Sequence, residues 1–444
     1  MGGCVFKRII PTIILVILFS VKSFAGGFQI NEHGAKAMAM AGAFTGLAND
    51  ASAAYFNPAG ITQLSGTHFM AGATFILPSS SYTDDGWYNH TTTDMEDNIY
   101  YPINFYITHQ LSEKFYVGLS VNNPYGLGTD WAANWPGRFI AFESEMETFF
   151  INPVVAYKVS DAFSIAIGGV FAYGSVTISQ KSLLGVNADY STIDGTTTLD
   201  GDGTAFGFTA AVLFTPSDNF QWGFSYRSET SFDFEGTATT TPASVPMAIP
   251  DLGTVDYPLP NGSIVAKFTT PWTAQFGFAI KTSDKFTLTA DAQLTGWSSF
   301  DTLAVDFDEY HSVAIDPTSP LLKIREPKKY TNNYIFRVGG EYQYSENFAI
   351  RGGILYDFQP SPDKHVDPSL PDADDWGFTI GFGYKITPNL TLDLGYMFLY
   401  YPTRTVTESE IDTGYPSPLP WAGTANGKYE TTAHLMAIDF SYSF

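Results

Sequence analysis

Cysteine is almost missing from this chain: of 444 residues only Cys4 is one. It lies ahead of a basic pair, Lys7 and Arg8, an apolar stretch from Ile9 to Phe19, and Ser23-Phe24-Ala25, which together have the layout of an export signal with a small-residue cleavage site. Residues 1–25 are therefore expected to be removed, leaving Gly26 as the mature N-terminus. A retained membrane anchor would need a longer apolar span. Once Cys4 leaves with the signal, no disulfide can contribute to stability.

Positive charge is scarce as well, with 22 Lys+Arg against 45 Asp+Glu and a formal net charge of −23, which argues against nucleic acid as a partner. Charged residues of both signs make up only 15%, too few for a disordered acidic chain or a coiled coil. Apart from the leader, no run approaches the roughly 18 uninterrupted apolar residues of a transmembrane helix. An exported chain without such a helix is periplasmic, secreted or an outer-membrane barrel. Catalytic and metal signatures are missing too. The seven histidines (His33, His68, His90, His109, His311, His365 and His434) show no paired-ligand spacing, and there is no G-x-S-x-G elbow and no P-loop. No enzyme, metal or cofactor is called for. The acidic run Asp363, Asp367, Asp372, Asp374 and Asp375 lacks EF-hand spacing and is expected to be a solvated loop.

What the chain does have is aromatic residues, 16% of the total, arranged with a period of two. Trp376, Phe378, Ile380, Phe382, Tyr384 and Ile386 alternate with Gly377, Thr379, Gly381, Gly383 and Lys385. Leu392, Leu394, Tyr396, Phe398 and Tyr400 alternate with Thr391, Asp393 and Gly395. Phe286, Leu288, Ala290, Ala292 and Leu294 alternate with Thr287, Thr289, Asp291, Gln293 and Thr295. A soluble sandwich alternates as well, but seldom sets so many aromatics on one face against Gly and Thr on the other. A membrane barrel does: lipid meets the apolar face and a crowded lumen meets the small polar one, with aromatic girdles at both interfaces.

Connections between these segments come in two lengths. Short turns with Ser or Thr beside Asp, Glu or Asn recur at 111–115, 159–163, 216–220, 282–286, 344–348 and 387–390. Polar Pro/Gly/Thr/Asp-rich stretches lie between them, near 79–99, 124–143, 181–202, 236–262, 301–330, 359–375 and 402–427. Six short periplasmic turns and seven long outer loops predict an all-β, antiparallel barrel of fourteen strands over 67–444, with both ends in the periplasm. The closing alternation Phe440, Tyr442, Phe444 has the character of a substrate of the barrel assembly machinery.

Residues 26–66 break the pattern. This stretch is rich in Ala and Gly, with short helical possibilities and no alternation, yet Phe28, Ile30, Met38, Met40, Phe44, Tyr55 and Phe56 are too apolar to lie easily in water. A plug folded into the lumen accounts for them better than a disordered periplasmic tail.

Several separated motifs resemble the FadL/TodX-type outer-membrane transporters of long-chain fatty acids and other hydrophobic compounds. Gly27-Phe28-Gln29-Ile30-Asn31-Glu32 is similar to that family's mature N-terminus, and Asn57-Pro58-Ala59 to the Asn-Pro-Ala of its hatch. Tyr125-Gly126-Leu127 follows the third strand as in the family. Tyr226-Arg227-Ser228-Glu229 with Asp233-Phe234 resembles its seventh strand, and Trp297-Ser298 with Phe300 its ninth. The resemblance implies passive uptake through a barrel closed by a hatch of short helices, with Phe28, Asn57, Pro58 and Ala59 in gating positions and lateral release at a wall kink. Pro124, Tyr125 and Gly126 would form that kink. Pro124 has no ladder donor and Gly126 and Gly128 permit unusual backbone angles; the alternative is that Pro124 merely starts an outer loop. The family uses basic residues near the outer lumen, which makes Lys181, Lys329 and Arg337 candidate partners for a fatty-acid carboxylate, with Asp372 in the family's acidic loop motif. Arg227, Arg337 and Arg351, with Asp291, Glu341, Asp357, Asp393 and Asp439, fall on the polar parity and are expected to form a lumen salt-bridge network. Residence in the outer membrane implies contact with its lipid and with lipopolysaccharide, and a monomer. A general water-filled porin, an aromatic hydrocarbon channel of the same family and a surface adhesin remain as alternatives.

Overall fold

In the computed structural model, residues 27–186, 192–249, 253–259, 261–307, 323–413 and 423–444 are described. The expected signal peptide 1–25 lies outside them.

Fourteen staves follow one another around a closed antiparallel barrel: β1 (Thr67–Asp84), β2 (Ile103–Gln110), β3 (Phe115–Asn122 and Gly126–Asp130), β4 (Glu143–Ser160), β5 (Phe163–Val186), β6 (Thr192–Ser217), β7 (Phe220–Arg227 and Thr230–Thr241), β8 (Gly262–Thr270 and Thr273–Ser283), β9 (Phe286–Thr295 and Thr302–Phe307), β10 (Lys323–Pro327 and Asn333–Ser345), β11 (Phe348–Asp357), β12 (Asp375–Lys385), β13 (Leu390–Val406) and β14 (Gly427–Ser443). Closure comes from β1 and β14, paired without interruption from His68 with Ser443 to Asp84 with Gly427. A closed barrel leaves no ladder group facing hydrocarbon, which is the condition for crossing a membrane with strands.

The short-turn residues do the work that their chemistry suggested. Ser112, Ser283 and Thr387 accept backbone N–H groups three residues on, from Phe115 at 3.1 Å, Phe286 at 3.2 Å and Leu390 at 3.0 Å. At the turns near 160, 283 and 345 the register shifts by one residue just before the chain reverses. The period-two reading also holds. Trp376, Phe378, Ile380, Phe382, Tyr384 and Ile386 are exposed on the outer surface, whereas Thr289, Asp291, Gln293 and Thr295 are buried.

The wall is taller than the sequence suggested. The stretches near 181–202 and 236–262, expected as loops, are largely strand: Lys181 pairs with Thr196 across β5 and β6, and Ser244–Ile249 forms a separate hairpin with Gly253–Pro258. Above the lipid neither strand face has to be apolar. The hydrophobic alternation that marks a strand therefore disappears while the β-branched threonines at 196–198 still favour extended backbone.

Inside the barrel lies the segment from Gly27, with α1 (Ala35–Ala39), α2 (Ala53–Phe56) and a 3₁₀ turn (Pro58–Gln63). Helices this short are not stable alone. They are held by the wall: Met40, Phe44, Ala48, Ala54 and Ile61 are completely buried. Glycines let the backbones meet, since a Cβ on Gly339 would come within 2.4 Å of the Met40 carbonyl oxygen and one on Gly381 within 2.5 Å of the Ala39 Cβ.

Candidate functional site

Polar bonds fasten this hatch to the lower wall. Asp439 accepts the Ala35 N–H, and Asn104 donates to its other oxygen at 2.7 Å. Asp291 accepts the Thr45 N–H at 2.7 Å. Asn57 is bonded on every side: its Nδ2 donates to the Thr45 and Val212 carbonyls at 2.9 and 3.1 Å, and its Oδ1 accepts the Ala59 N–H at 3.1 Å. Pro58 opens the 3₁₀ turn, where its missing N–H costs nothing, and Ala59 is fully buried. Arg227 stacks over the Tyr55 ring at 4.0 Å and donates to its carbonyl at 3.2 Å. His33 packs edge-on against Tyr55 at 4.5 Å, and burial, aided by the Arg227 charge, holds its imidazole down at about 3, so it is neutral. Arg351 bridges Glu341 and Asp393 at 2.7 and 2.5 Å. Arg337 donates to Gln293 at 2.9 Å. The charges on the polar parity thus pair with one another and with the hatch.

Above the hatch the lumen changes character. A cavity of about 170 Å³ is walled by Val176, Phe234, Phe268, Phe300 and Tyr330, with Phe28 at its floor. Phe28 sits among aromatics, 4.6 Å from the Trp297 ring, 5.5 Å from Phe300, 5.6 Å from Phe268 and 6.4 Å from Tyr125. Among the described residues one cation reaches this cavity, Lys328, held by Glu326 at 2.7 Å and Asp367 at 3.0 Å. Burial opposes its charge, but the two carboxylates outweigh burial and keep the ammonium above the usual lysine range.

Lys329 points elsewhere. Its side chain is half exposed and paired with Asp301 at 2.8 Å, so among neighbouring lysines it is Lys328 that lines the cavity. After Pro327 the chain leaves its ladder and strand parity no longer says which of two adjacent lysines turns inward. Lys181 stands at the rim, bonded to Thr196 at 2.7 Å and lying over the Phe142 ring. Arg337 is buried beneath the cavity against the hatch and does not line it. Asp372, expected in a solvated loop, is buried and accepts the Ser361 hydroxyl at 2.7 Å. The aromatics Phe268 and Tyr330 were not singled out by sequence, because inward aromatics on a barrel strand look like a lapse of parity.

A second cavity, of about 490 Å³, shares Phe28, Leu127, Glu145, Met146 and Leu370 with the first and is lined by Asn123, Tyr125 and Gly126 of the third stave. β3 pairs with β2 only up to Asn122, opposite Asn104. It then breaks at Asn123-Pro124-Tyr125 and resumes at Gly126 paired with β4 alone among the described residues. Pro124 lies at the break itself and does not merely open a loop, because the strand continues beyond it. The freed backbone is used by the hatch: Ile30 N–H donates to the Pro124 carbonyl at 2.9 Å, and Gly126 N–H to the Phe28 carbonyl at 3.1 Å. Tyr125, at the centre of the kink, reaches the Pro271 carbonyl through its hydroxyl at 3.0 Å. On the far side Ile99 and Tyr101 are exposed.

Residues 16–444 match the outer membrane protein transport protein family (OMPP1/FadL/TodX). The chain is 24% identical over 458 residues to the long-chain fatty acid transport protein of Escherichia coli O6:H1, covering 97% of each. Its fold is similar to that of a Pseudomonas aeruginosa FadL homologue, with a TM-score of 0.78 at 21% identity, covering 94% of this chain and all of that one. The Ralstonia pickettii toluene transporter TbuX superposes with a TM-score of 0.69 at 17% identity, again over 94% of this chain and all of that one. Stave count, plugged lumen and full-length match agree, and the chain is a member of the OMPP1/FadL/TodX family of outer-membrane transport proteins.

Proposed function

We propose that this barrel takes up long-chain fatty acids or similar hydrophobic molecules by passive diffusion, capturing them in the aromatic cavity above the hatch and releasing them sideways at the β3 break. The observation that carries this reading is the contiguity of the two cavities across Phe28, Leu127, Glu145, Met146 and Leu370. An acyl chain that leaves through the wall enters lipid directly. At roughly 0.8 kcal/mol per methylene, the lateral route avoids a cost of order 10 kcal/mol for exposing a long chain to periplasmic water. The filled lower lumen argues against a general porin.

The carboxylate would meet Lys328, since a charge in an apolar cavity needs a partner. Lys328 is already held by Glu326 and Asp367. That double pairing favours a second reading, a neutral hydrocarbon as substrate, because a carboxylate has to displace or share an existing partner. Competition separates the two: purified protein is loaded with radiolabelled oleate and challenged with toluene. Under the fatty-acid reading Lys328→Met weakens oleate binding at least tenfold and leaves toluene binding unchanged. Equal binding of oleate by both proteins would favour the hydrocarbon reading. For the exit, Gly126→Val places a side chain against Ile30, whose Cδ1 would lie 2.8 Å from the new Cβ. Oleate uptake by cells should stop while binding to purified protein persists. Uptake at the normal rate in a well-expressed variant rules out the lateral route.

We further infer that residues 1–25 are an export signal, that 26–66 act as hatch and 67–444 as barrel, and that Phe440, Tyr442 and Phe444 engage the barrel assembly machinery. The mature monomer would sit among outer-membrane lipid and lipopolysaccharide. A tag inserted at 216–220 should be inaccessible from outside intact cells.

A further inference from the structure

The two cavities that meet at Phe28 differ in charge. Lys328 lines the first, whereas the second is lined by Glu32, Glu145, Glu147 and Asp372 and by no Lys, Arg or His among the described residues. Glu32 and Asp372 are buried, and each holds a donor, the Asn31 N–H at 3.0 Å and the Ser361 hydroxyl at 2.7 Å. Glu145 and Glu147 are different. Both are exposed, and neither carboxylate has an ion-pair or hydrogen-bond partner among the described residues.

Their isolation follows from the break in β3. Where the stave resumes, Glu147 stands opposite Gly126 and Glu145 opposite Gly128, so no cross-strand side chain covers either carboxylate from that side. On the β5 side they stand opposite Ser175 and Thr177, which carry no charge. The next pair toward the periplasm on the same face is Phe149 with Tyr173, and Tyr173 is exposed on the outer wall. The two carboxylates therefore stand at the aromatic edge of the lipid-facing band, the level at which an amphiphile keeps its headgroup when its tail is in hydrocarbon.

Tyrosines complete the surroundings. The Tyr100 ring lies against Gly128, where a Cβ would come within 2.1 Å of its Cζ, and the exposed Tyr101 lines the same cavity. Unpaired carboxylates attract a cationic headgroup and repel an anionic one, and aromatic faces recognise quaternary ammonium groups. For a tail, the apolar residues Phe28, Leu127, Met146 and Leu370 lead from this cavity into the aromatic one. We propose that the second cavity is a binding site for cationic amphiphiles: the ammonium of a long-chain alkylammonium compound rests among Glu145, Glu147 and Tyr100, and its tail runs past Leu127 and Met146 toward the first cavity. The same charges rank headgroups, cation before neutral before anion. A carboxylate that leaves Lys328 has to pass Glu145, which lines both cavities, and so exits more slowly than an uncharged compound of the same length.

The test titrates the purified barrel in non-ionic detergent with dodecyltrimethylammonium and with dodecanol, which share a tail and differ in charge, and subtracts binding to protein-free micelles. The ammonium should bind at least roughly tenfold more tightly than the alcohol. Glu145→Gln combined with Glu147→Gln should bring that ratio close to one. A merely structural role would weaken both probes and leave the ratio in place. If the double variant does not fold, salt decides on the wild type: exposed charges are screened, so the ratio should fall toward one as ionic strength rises. A wild-type ratio near one, a ratio that the double variant preserves or a ratio that salt leaves unchanged overturns the proposal. Capture at Lys328 and exit at the β3 break stand or fall separately, on Lys328→Met and Gly126→Val.

Discussion

The lower and upper halves of the lumen are lined by the same staves and hold opposite chemistries. Below, glycines and short polar residues admit the hatch backbone, and wall charges hold partners: Arg351 has Glu341 and Asp393, Asp439 has Ala35 and Asn104, and Asp291 has Thr45. Above, Val176, Phe234, Phe268 and Phe300 surround open space with one doubly paired lysine. A barrel wall by itself does not decide between channel and binding protein. What its inward parity carries at each height decides, with glycine where a protein segment must fit and aromatic rings where open space remains.

This division can be broken from below. Arg351→Met removes the ion-pair partner of the buried Asp393 and the partly buried Glu341, and should lower unfolding stability by ~3–5 kcal/mol, read from urea titration of the detergent-solubilised barrel. The smaller change Gly339→Val pushes a side chain into Met40 and should cost ~1–3 kcal/mol by overpacking, and raise single-channel conductance if the hatch is displaced. Asn57→Ala should cost about 1–3 kcal/mol, since it strands the buried Thr45 and Val212 carbonyls.

The charge state around Asp372 sharpens the comparison further. Its carboxyl, at 3.8 when unperturbed, is raised by burial, so the folded state prefers it neutral. Stability should therefore fall as pH rises from about 4 to about 7. Asp372→Asn should flatten the slope. The smallest effect belongs to Lys329→Ala: its pair with Asp301 is exposed, so neither stability nor ligand binding should change measurably.

Much of the architecture was legible in sequence because lipid forces it. Phe378, Ile380 and Phe382 alternate with Gly and Thr since hydrocarbon meets one face only, and Ser112, Ser283 and Thr387 mark turns since their oxygens close them. Where lipid ends, the signal ends. β5 and β6 continue past Lys181 with no apolar face to announce them. The hatch was legible from apolar residues with nowhere else to go, but its fit to the wall was not, because Gly339 and Gly381 look like any strand glycine until Met40 and Ala39 are seen against them. At the cavity the choice between Lys328 and Lys329 depends on how the chain leaves its ladder after Pro327, which no period encodes. The buried state of Asp372 was hidden by its acidic, Pro-rich surroundings.

The proposed route enters an apolar capture site above a sealed lower lumen and leaves it sideways. Anomalous scattering from a bromine-labelled fatty acid soaked into crystals tests it most directly. Bromine should lie above Phe28, between Val176, Phe234 and Phe268, with weaker occupancy beyond Leu127 toward the β3 break and none among the hatch residues Ala35–Gln63. Bromine within the hatch or on its periplasmic side would contradict the claim.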